Sequence, residues 1–337
     1  MKIGIVNDMP LAVEALRRAL SGDPGHQVIW TAKDGAEAVA LSTKERPDLI
    51  LMDLLMPNID GVEATRQIMS SQPCPILVVT ANVGVNAGRV FEAMAYGALD
   101  AIDTPYLGTG DPRKNAAPLL KKIHDIEQRL RQDKTVVLEE EAEAVLPSKH
   151  PVGLIAIGAS AGGPGALATV LESLPKNFKS ALVIVQHIDE MFVNGMADWL
   201  NHHSIIPVRL AKEGDRLEAG VALLAGAGEH LVLKNSNRLG YTPEPRHSVY
   251  KPSIDVFFAS VCKHSDGKAV GVILTGMGAD GARGLKQLRD KGYYTIAQDE
   301  ATSTVYGMPK VAAALGAAVD ILPIHSIAPK LAGIFTA

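Results

Sequence analysis

The chain has 337 residues, a hydrophobic share of 47%, a charged share of 21% and a formal net charge of −4. That is a globular composition with length for two domains, and its slight acidity gives no electrostatic ground for binding nucleic acid or a membrane surface. The two cysteines, Cys74 and Cys262, have no partner motif, the opening MKIGIVNDMP holds too short an apolar run for a signal peptide, and no later run can span a bilayer. A cytoplasmic protein without a disulfide framework, a zinc site or direct membrane insertion is expected.

The first third alternates short apolar runs with amphipathic ones. KIGIV, QVIWTA, DLILMD and PILVVT read as buried parallel strands. PLAVEALRRAL reads as a helix with Leu11, Ala15, Leu16 and Ala19 on its inner face. Gly61 opens another helix, and VFEAMAYG ends one at Gly97. A strand ALDAI and a helix over residues 116–130 complete five βα units, a doubly wound domain.

A linker is expected over 126–150, where RQDKTVVLEEEAEAVLPSKHP carries an acidic run without apolar periodicity. The preceding helix continues into it for a turn or two. After Pro151 the βα alternation resumes with GLIAIG, ALVIVQ, VALLAG, AVGVILTG and YYTIAQ as strands. A hairpin is expected at residues 235–237 of HLVLKNSNRLGYTPEP. The fold class is α/β, with two doubly wound, mainly parallel units at 1–125 and 151–337.

In an open parallel sheet, side chains just past the strand C-termini converge on one crevice. In the first unit those positions hold Asn7 and Asp8, then Asp53, then Thr80. Two carboxylates and a hydroxyl suit a hard cation such as Mg²⁺, and a carboxylate beside it can accept a phosphoryl group. The alternative is that Asp8 and Asp53 cap helices.

The second unit opens on VGLIAIGASAGGPGALATV, a strand, a glycine-rich turn and a helix. Gly158, Ser160 and Gly162 match G-x-S-x-G, a turn that exposes a serine hydroxyl. Gly158 and Gly163 also bracket a loose dinucleotide fingerprint, but Ser160 replaces its second glycine and the next strand ends in His187 rather than an acid. A third reading is a plain turn capping a helix. Asp280, in the glycine-rich turn of VGVILTGMGADGARGL, again follows a strand. Ser160, His187 and Asp280 thus lie at one sheet edge with the chemistry of nucleophile, base and orienting carboxylate. The alternatives are that His187 packs at a strand end and that Asp280 caps a helix. His202, His203, His230 and His247 read as surface or loop residues, with His230 the one candidate for the rim of the site.

NDMP, LILMDLLMPNIDGVEATR, VVTA and MAYGALDAIDTP together resemble a response-regulator receiver domain. The resemblance implies a flavodoxin-like fold, with Asp53 as phospho-acceptor, Thr80 as switch residue, and Mg²⁺ held by Asp8, Asp53 and the Leu55 carbonyl. Three positions depart from it. Asn7 replaces the first acid of the usual pair, Thr104 replaces the lysine before the last proline, and Ala101 replaces the aromatic switch residue. The missing lysine removes a cation that would pair with phosphoryl oxygens.

AIGASAGGP, VQHID, KPSIDVFF, GVILTGMGADGA and TIAQDEATSTVYGMPK resemble the catalytic domain of protein-glutamate methylesterases, the CheB family of chemotaxis response regulators. The opening IGIVNDMPLAVEALRRAL resembles the members from Wsp-type surface-signalling clusters. The resemblance implies Ser160 as nucleophile, His187 as general base and acid, Asp280 as orienter, and backbone N–H groups of Ala161 and Met277 as an oxyanion hole. Ala161 stands where the family often has threonine. The implied substrates are glutamyl methyl esters of methyl-accepting receptors, with glutamine deamidation as a second activity and a histidine kinase as phosphodonor. No catalytic-domain cofactor is expected. The alternatives are a phosphorylation-gated binding regulator and a nucleotide-dependent enzyme using the glycine-rich turns.

Overall fold

The computed structural model describes residues 1–105, 112–132, 153–265 and 269–334. The chain divides into two compact units, Met1–Arg131 and Gln132–Ala337.

The first unit runs β1 (Lys2–Val6), α1 (Pro10–Ser21), β2 (Gln27–Ala32), α2 (Gly35–Lys44), β3 (Leu49–Met52), α3 (Gly61–Ser71), β4 (Ile76–Thr80), α4 (Ala87–Ala95), β5 (Asp100–Asp103) and α5 (Pro112–Gln132). Its strands form one parallel sheet in the order β2-β1-β3-β4-β5, the doubly wound order of flavodoxin-like domains. The all-apolar strands alternate their side chains between two covered faces. One face sets Ile3, Ile5, Leu49, Leu51, Leu77 and Val79 against Leu16, Leu20, Leu119 and Ile123. Each such aliphatic side chain contributes about 1.5–3 kcal/mol by leaving water.

One expectation changes here. Leu11, in the first turn of α1, is exposed, while Leu20 joins Ala15, Leu16 and Ala19 inside. α5 continues to Gln132, reaching into the 126–150 segment for the turn or two expected. The rest of that segment, 133–150, lies outside the described residues.

The second unit runs β6 (Leu154–Ala159), α6 (Gly163–Glu172), β7 (Ala181–Gln186), α7 (Val193–His202), β8 (Val208–Leu210), β9 (Ala222–Leu224), β10 (His230–Asn235), β11 (Arg238–Thr242), α8 (Ile254–His264), β12 (Ala269–Ile273), α9 (Ala282–Asp290), β13 (Tyr294–Gln298), α10 (Met308–Ala314), β14 (Asp320–Leu322) and α11 (Ile324–Ile334). Seven strands form a parallel sheet in the order β14-β13-β12-β6-β7-β9-β8. β10 and β11 form the expected hairpin as a separate antiparallel pair. β8 and β14 were not legible from hydrophobic pattern, because three residues are too few to show a period. The order departs in opposite directions from β6, toward β7 on one side and β12 on the other. Such a switch point opens a crevice beyond the strand C-termini.

Candidate active site

The β6–β7 ladder ends with Ala159 opposite Gln186, so Ser160 and His187 are the next residues of two hydrogen-bonded neighbours. The backbone continues this alignment, with His187 N–H donating to the Ala159 carbonyl at 3.0 Å. On the other side of β6, Ile273 pairs with Gly158 and Ser160 N–H donates to the Thr275 carbonyl at 3.1 Å. Ser160 is thereby fixed by both neighbouring strands.

The turn after Ser160 depends on two glycines. Gly162 has φ +74°, a left-handed conformation that disfavours a side chain. A Cβ on Gly163 would lie 2.0 Å from Gln186 Oε1. Gln186 needs that space, because its Nε2 donates to the carbonyls of Ser160 (2.8 Å) and His187 (3.0 Å). One amide thus ties the two strand ends together. Thr275 Oγ1 braces the same turn by donating to the Ala161 carbonyl at 3.0 Å.

Asp280 is buried and its carboxylate is fully engaged. Oδ2 accepts from His187 Nε2 at 2.8 Å and from Ile254 N–H at 2.7 Å. Oδ1 accepts from Ser253 Oγ at 2.8 Å and Asp255 N–H at 3.1 Å. Burial alone would raise its pKa, but His187 and the N-terminal donors of α8 outweigh it and hold the carboxyl below its ordinary value. The reading of Asp280 as a cap holds for α8 rather than for its own following helix, whose first position is preceded by Gly281. The same carboxylate also orients the histidine.

An ionised Asp280 requires a proton on His187 Nε2, which leaves Nδ1 as a bare lone pair. Nδ1 is buried and has no hydrogen-bond partner among the described residues. The imidazole therefore presents Nδ1 as its base, with Nε2 given to the carboxylate. The backbone N–H groups of Ala161 and Met277 likewise donate to no group among the described residues.

Tyr250 and Ser253, which pattern alone did not bring to the site, and His230 adjoin this constellation. The Tyr250 ring stacks on His187 at 4.2 Å between centroids and 10° between planes. Ser253 caps α8 and donates to Asp280. His230, expected at the rim, is instead fully buried. Its Nδ1 accepts from Ser253 N–H at 3.0 Å and its Nε2 donates to the Pro245 carbonyl at 3.3 Å. Its place on the first residue of β10, facing the core, accounts for the difference. A fourth residue, Asp255, is a second carboxyl beside Asp280. Burial and then the Asp280 charge push it up to about 7, against a hydrogen bond from Gly284 N–H at 2.8 Å.

In the first unit, Asp53 lies buried just beyond β3, whereas Thr80, expected just past its strand, is the buried last residue of β4, paired with Asp103. Neither Asp8 nor Asp53 caps a helix, since Met9 precedes α1 and Asp60 caps α3. Asp53 Oδ1 accepts from Leu54 N–H at 2.7 Å and Oδ2 from Asn7 Nδ2 at 3.1 Å. Burial raises the Asp53 pKa, and the Asp8 charge adds to it against the N–H groups of Leu54 and Leu55 and the Thr80 hydroxyl. Two neighbouring carboxylates, Asp8 and Asp53, that repel each other are oxygen donors of the kind that suit a hard divalent cation. No cationic side chain pairs with Asp53 among the described residues. Thr104, at the lysine position, instead donates its backbone N–H to the Thr80 carbonyl at 2.8 Å.

A flavodoxin-like unit with buried Asp53 at its strand ends, followed by a parallel α/β unit with a buried Asp–His pair, has the architecture of a response regulator with an enzymatic output domain. Comparison with known proteins specifies it further. Residues 155–331 match the CheB methylesterase family and residues 3–106 the response regulator receiver domain. The chain belongs to the CheB methylesterase family. It is 56% identical over its whole length, and over the whole of the relative, to "Protein-glutamate methylesterase/protein-glutamine glutaminase 3" of Pseudomonas syringae pv. tomato. It is 58% identical to "Protein-glutamate methylesterase/protein-glutamine glutaminase 1" of Bordetella avium, covering 99% of this chain and 97% of that one. The crystal structure of the Thermotoga maritima CheB methylesterase catalytic domain superposes with a TM-score of 0.52 at 31% identity, covering 54% of this chain and 98% of that domain. A gated binding regulator and a nucleotide-dependent enzyme both fall outside this family.

Proposed function

We propose that this chain is a phosphorylation-regulated protein-glutamate methylesterase that also deamidates glutamine, acting on methyl-accepting receptors. The observation that carries the chemistry is the 2.8 Å bond between Asp280 Oδ2 and His187 Nε2, which leaves Nδ1 free to act as base at the strand end beside Ser160.

His187 Nδ1 takes the Ser160 Oγ proton as Oγ bonds to the ester carbonyl carbon. Asp280 holds the imidazole in the required tautomer and stabilises the imidazolium. The N–H groups of Ala161 and Met277 receive the developing oxyanion, each such donor contributing about 3–4 kcal/mol. As the carbon–oxygen ester bond breaks, Nδ1–H protonates the leaving methoxide to methanol. Water then attacks the glutamyl-serine, giving its proton to Nδ1, and Oγ leaves with that proton. With a glutamine substrate the same steps release ammonia in place of methanol. Catalysis needs no cofactor in this scheme.

In the receiver, Asp53 is proposed as phospho-acceptor and Thr80 as switch. Asp8, Asp53 and the Leu55 carbonyl would hold Mg²⁺, which when bound neutralises phosphoryl charge. Asn7 keeps Asp53 oriented through its amide. The phosphodonor is a histidine kinase, and the protein acts in the cytoplasm without nucleic acid. No helix among the described residues is long and apolar enough to cross a membrane. Residues 1–125, 126–150 and 151–337 are proposed as receiver, linker and catalytic domain, with the unphosphorylated receiver restraining the catalytic one.

The test is methanol release from a methylated receptor fragment, comparing the wild type with Ser160→Ala and with a chain lacking residues 1–135. Serine-dependent release that rises on truncation supports the reading. Release that survives Ser160→Ala contradicts it.

A further inference from the structure

The His187 imidazole is held at one edge by Asp280, but a single hydrogen bond leaves the ring free to rotate about the Nε2–Oδ2 line. Rotation would carry Nδ1 away from the serine. Something must fix the plane. The stacked Tyr250 ring, parallel to within 10°, covers one face of the imidazole.

Tyr250 belongs to the connection between β11 and α8, residues 243–253, which has no regular structure of its own. Three anchors hold this connection. Ser248 ties it locally, its N–H donating to the Pro245 carbonyl at 3.2 Å and its Oγ to the Tyr250 carbonyl at 2.9 Å. Ser253 ties its end to Asp280. His230 ties both ends at once, taking the Ser253 N–H on Nδ1 and giving Nε2–H to the Pro245 carbonyl. A backbone N–H is only a donor and a carbonyl only an acceptor, so His230 serves both anchors as the neutral imidazole of one tautomer. A fully buried polar ring with both nitrogens committed is a strut.

We infer that the 243–253 connection is a clamp that fixes the plane of the His187 imidazole, with Tyr250 as its contact face and His230 as its strut. Both are positioning residues. This rests on the reading of His187 as the base, and it names side chains beyond the Ser160–His187–Asp280 set that the reaction depends on.

The test uses the full-length protein and two readouts. The first is the ring carbon–proton resonances of His187 in histidine-labelled protein, identified by their loss in His187→Gln. The Tyr250 ring current displaces them upfield in the wild type, and this signal is independent of any esterase assay. The second is the split of methanol release into kcat and KM. Tyr250→Phe keeps a ring on the imidazole face and is expected to keep the upfield position. Tyr250→Leu is expected to lose the displacement and about tenfold in kcat, with KM little changed, because misorientation acts on the chemical step. His230→Phe keeps a ring but removes both anchors. It is expected to reproduce the Tyr250→Leu spectrum, and the double variant is expected to be no worse than either alone.

Wild-type resonances and kcat in Tyr250→Leu overturn the clamp. So does a change confined to KM, which would make Tyr250 a substrate contact. If His230→Phe does not fold, the Phe and Leu variants of Tyr250 decide the matter. If the wild type releases no methanol while the resonances behave as described, the proposed activity fails and the clamp stands.

Discussion

Asp280 Oδ2 receives the imidazole of His187 at 2.8 Å and the backbone N–H of Ile254 at 2.7 Å, so a helix N-terminus and the His187 ring share one carboxylate oxygen. Against its burial, the bond from His187 and then the N–H donors at the start of α8 keep Asp280 ionised, and an ionised Asp280 accepts the His187 Nε2–H. The fold and the site are therefore coupled through a single residue.

That coupling separates the effects of substitutions at Ser160 and Asp280. Ser160→Ala is expected to lose on the order of 10⁶ in turnover with little change in stability. Asp280→Asn is expected to lose on the order of 10⁴ in turnover through the wrong tautomer. It should also lose about 1.5–3 kcal/mol of stability, because an amide cannot accept all four donors. Urea unfolding beside methanol release distinguishes the two patterns.

Gln186 links the carbonyls of Ser160 and His187 and lies where a Cβ on Gly163 would go. Gly163→Ala should displace the amide, destabilise the protein by about 1–3 kcal/mol and lower kcat. Gly165→Ala, two residues further into α6, is the control expected to leave kcat intact. Thermal unfolding and steady-state kinetics on both variants check this.

Asp255 carries a pH dependence of stability with a definite sign. Its folded-state pKa, near 7, lies above the ordinary aspartate value, so the folded state binds the extra proton between those pH values. The contribution is fully present in acid and is lost as pH rises through about 7. Asp255→Asn cannot ionise and keeps an oxygen for Gly284 N–H. Its urea midpoint should change less than that of the wild type between about pH 5 and about pH 8, and should exceed it at the upper end.

Asn7 replaces a charge with an amide that donates to Asp53. Asn7→Asp should tighten Mg²⁺ binding by adding a carboxylate to the donor set. In the metal-free protein it should raise the Asp53 pKa further, since it exchanges a hydrogen-bond donor for a like charge. A Mg²⁺ titration followed by amide resonances of Asp53 and its neighbours measures both.

Much of this was legible in the sequence because parallel α/β units put their chemistry at strand ends. Ser160, His187 and Asp280, like Asp8, Asp53 and Thr80, each follow an apolar run that announces its strand. Tyr250, Ser253 and His230 were harder. Tyr250 and Ser253 come from a connection without periodicity, and their roles depend on how that connection folds back onto Asp280. Nothing local to Ser253 indicates that its hydroxyl reaches a residue 27 positions away. His230 was misplaced because AGAGEH reads as a turn, whereas its histidine begins a strand and points inward. Leu11 failed for the opposite reason, since helical periodicity says nothing of where a helix overhangs its sheet.

Phosphorylation at Asp53 is expected to govern ester hydrolysis at Ser160. Methanol release from a methylated receptor fragment tests this, measured with and without Mg²⁺ and a small-molecule phosphodonor for the wild type, Ser160→Ala and Asp53→Ala. Release is expected to require Ser160 and to be stimulated by phosphodonor only when Asp53 is present. Stimulation that persists in Asp53→Ala, or release that persists in Ser160→Ala, would contradict it.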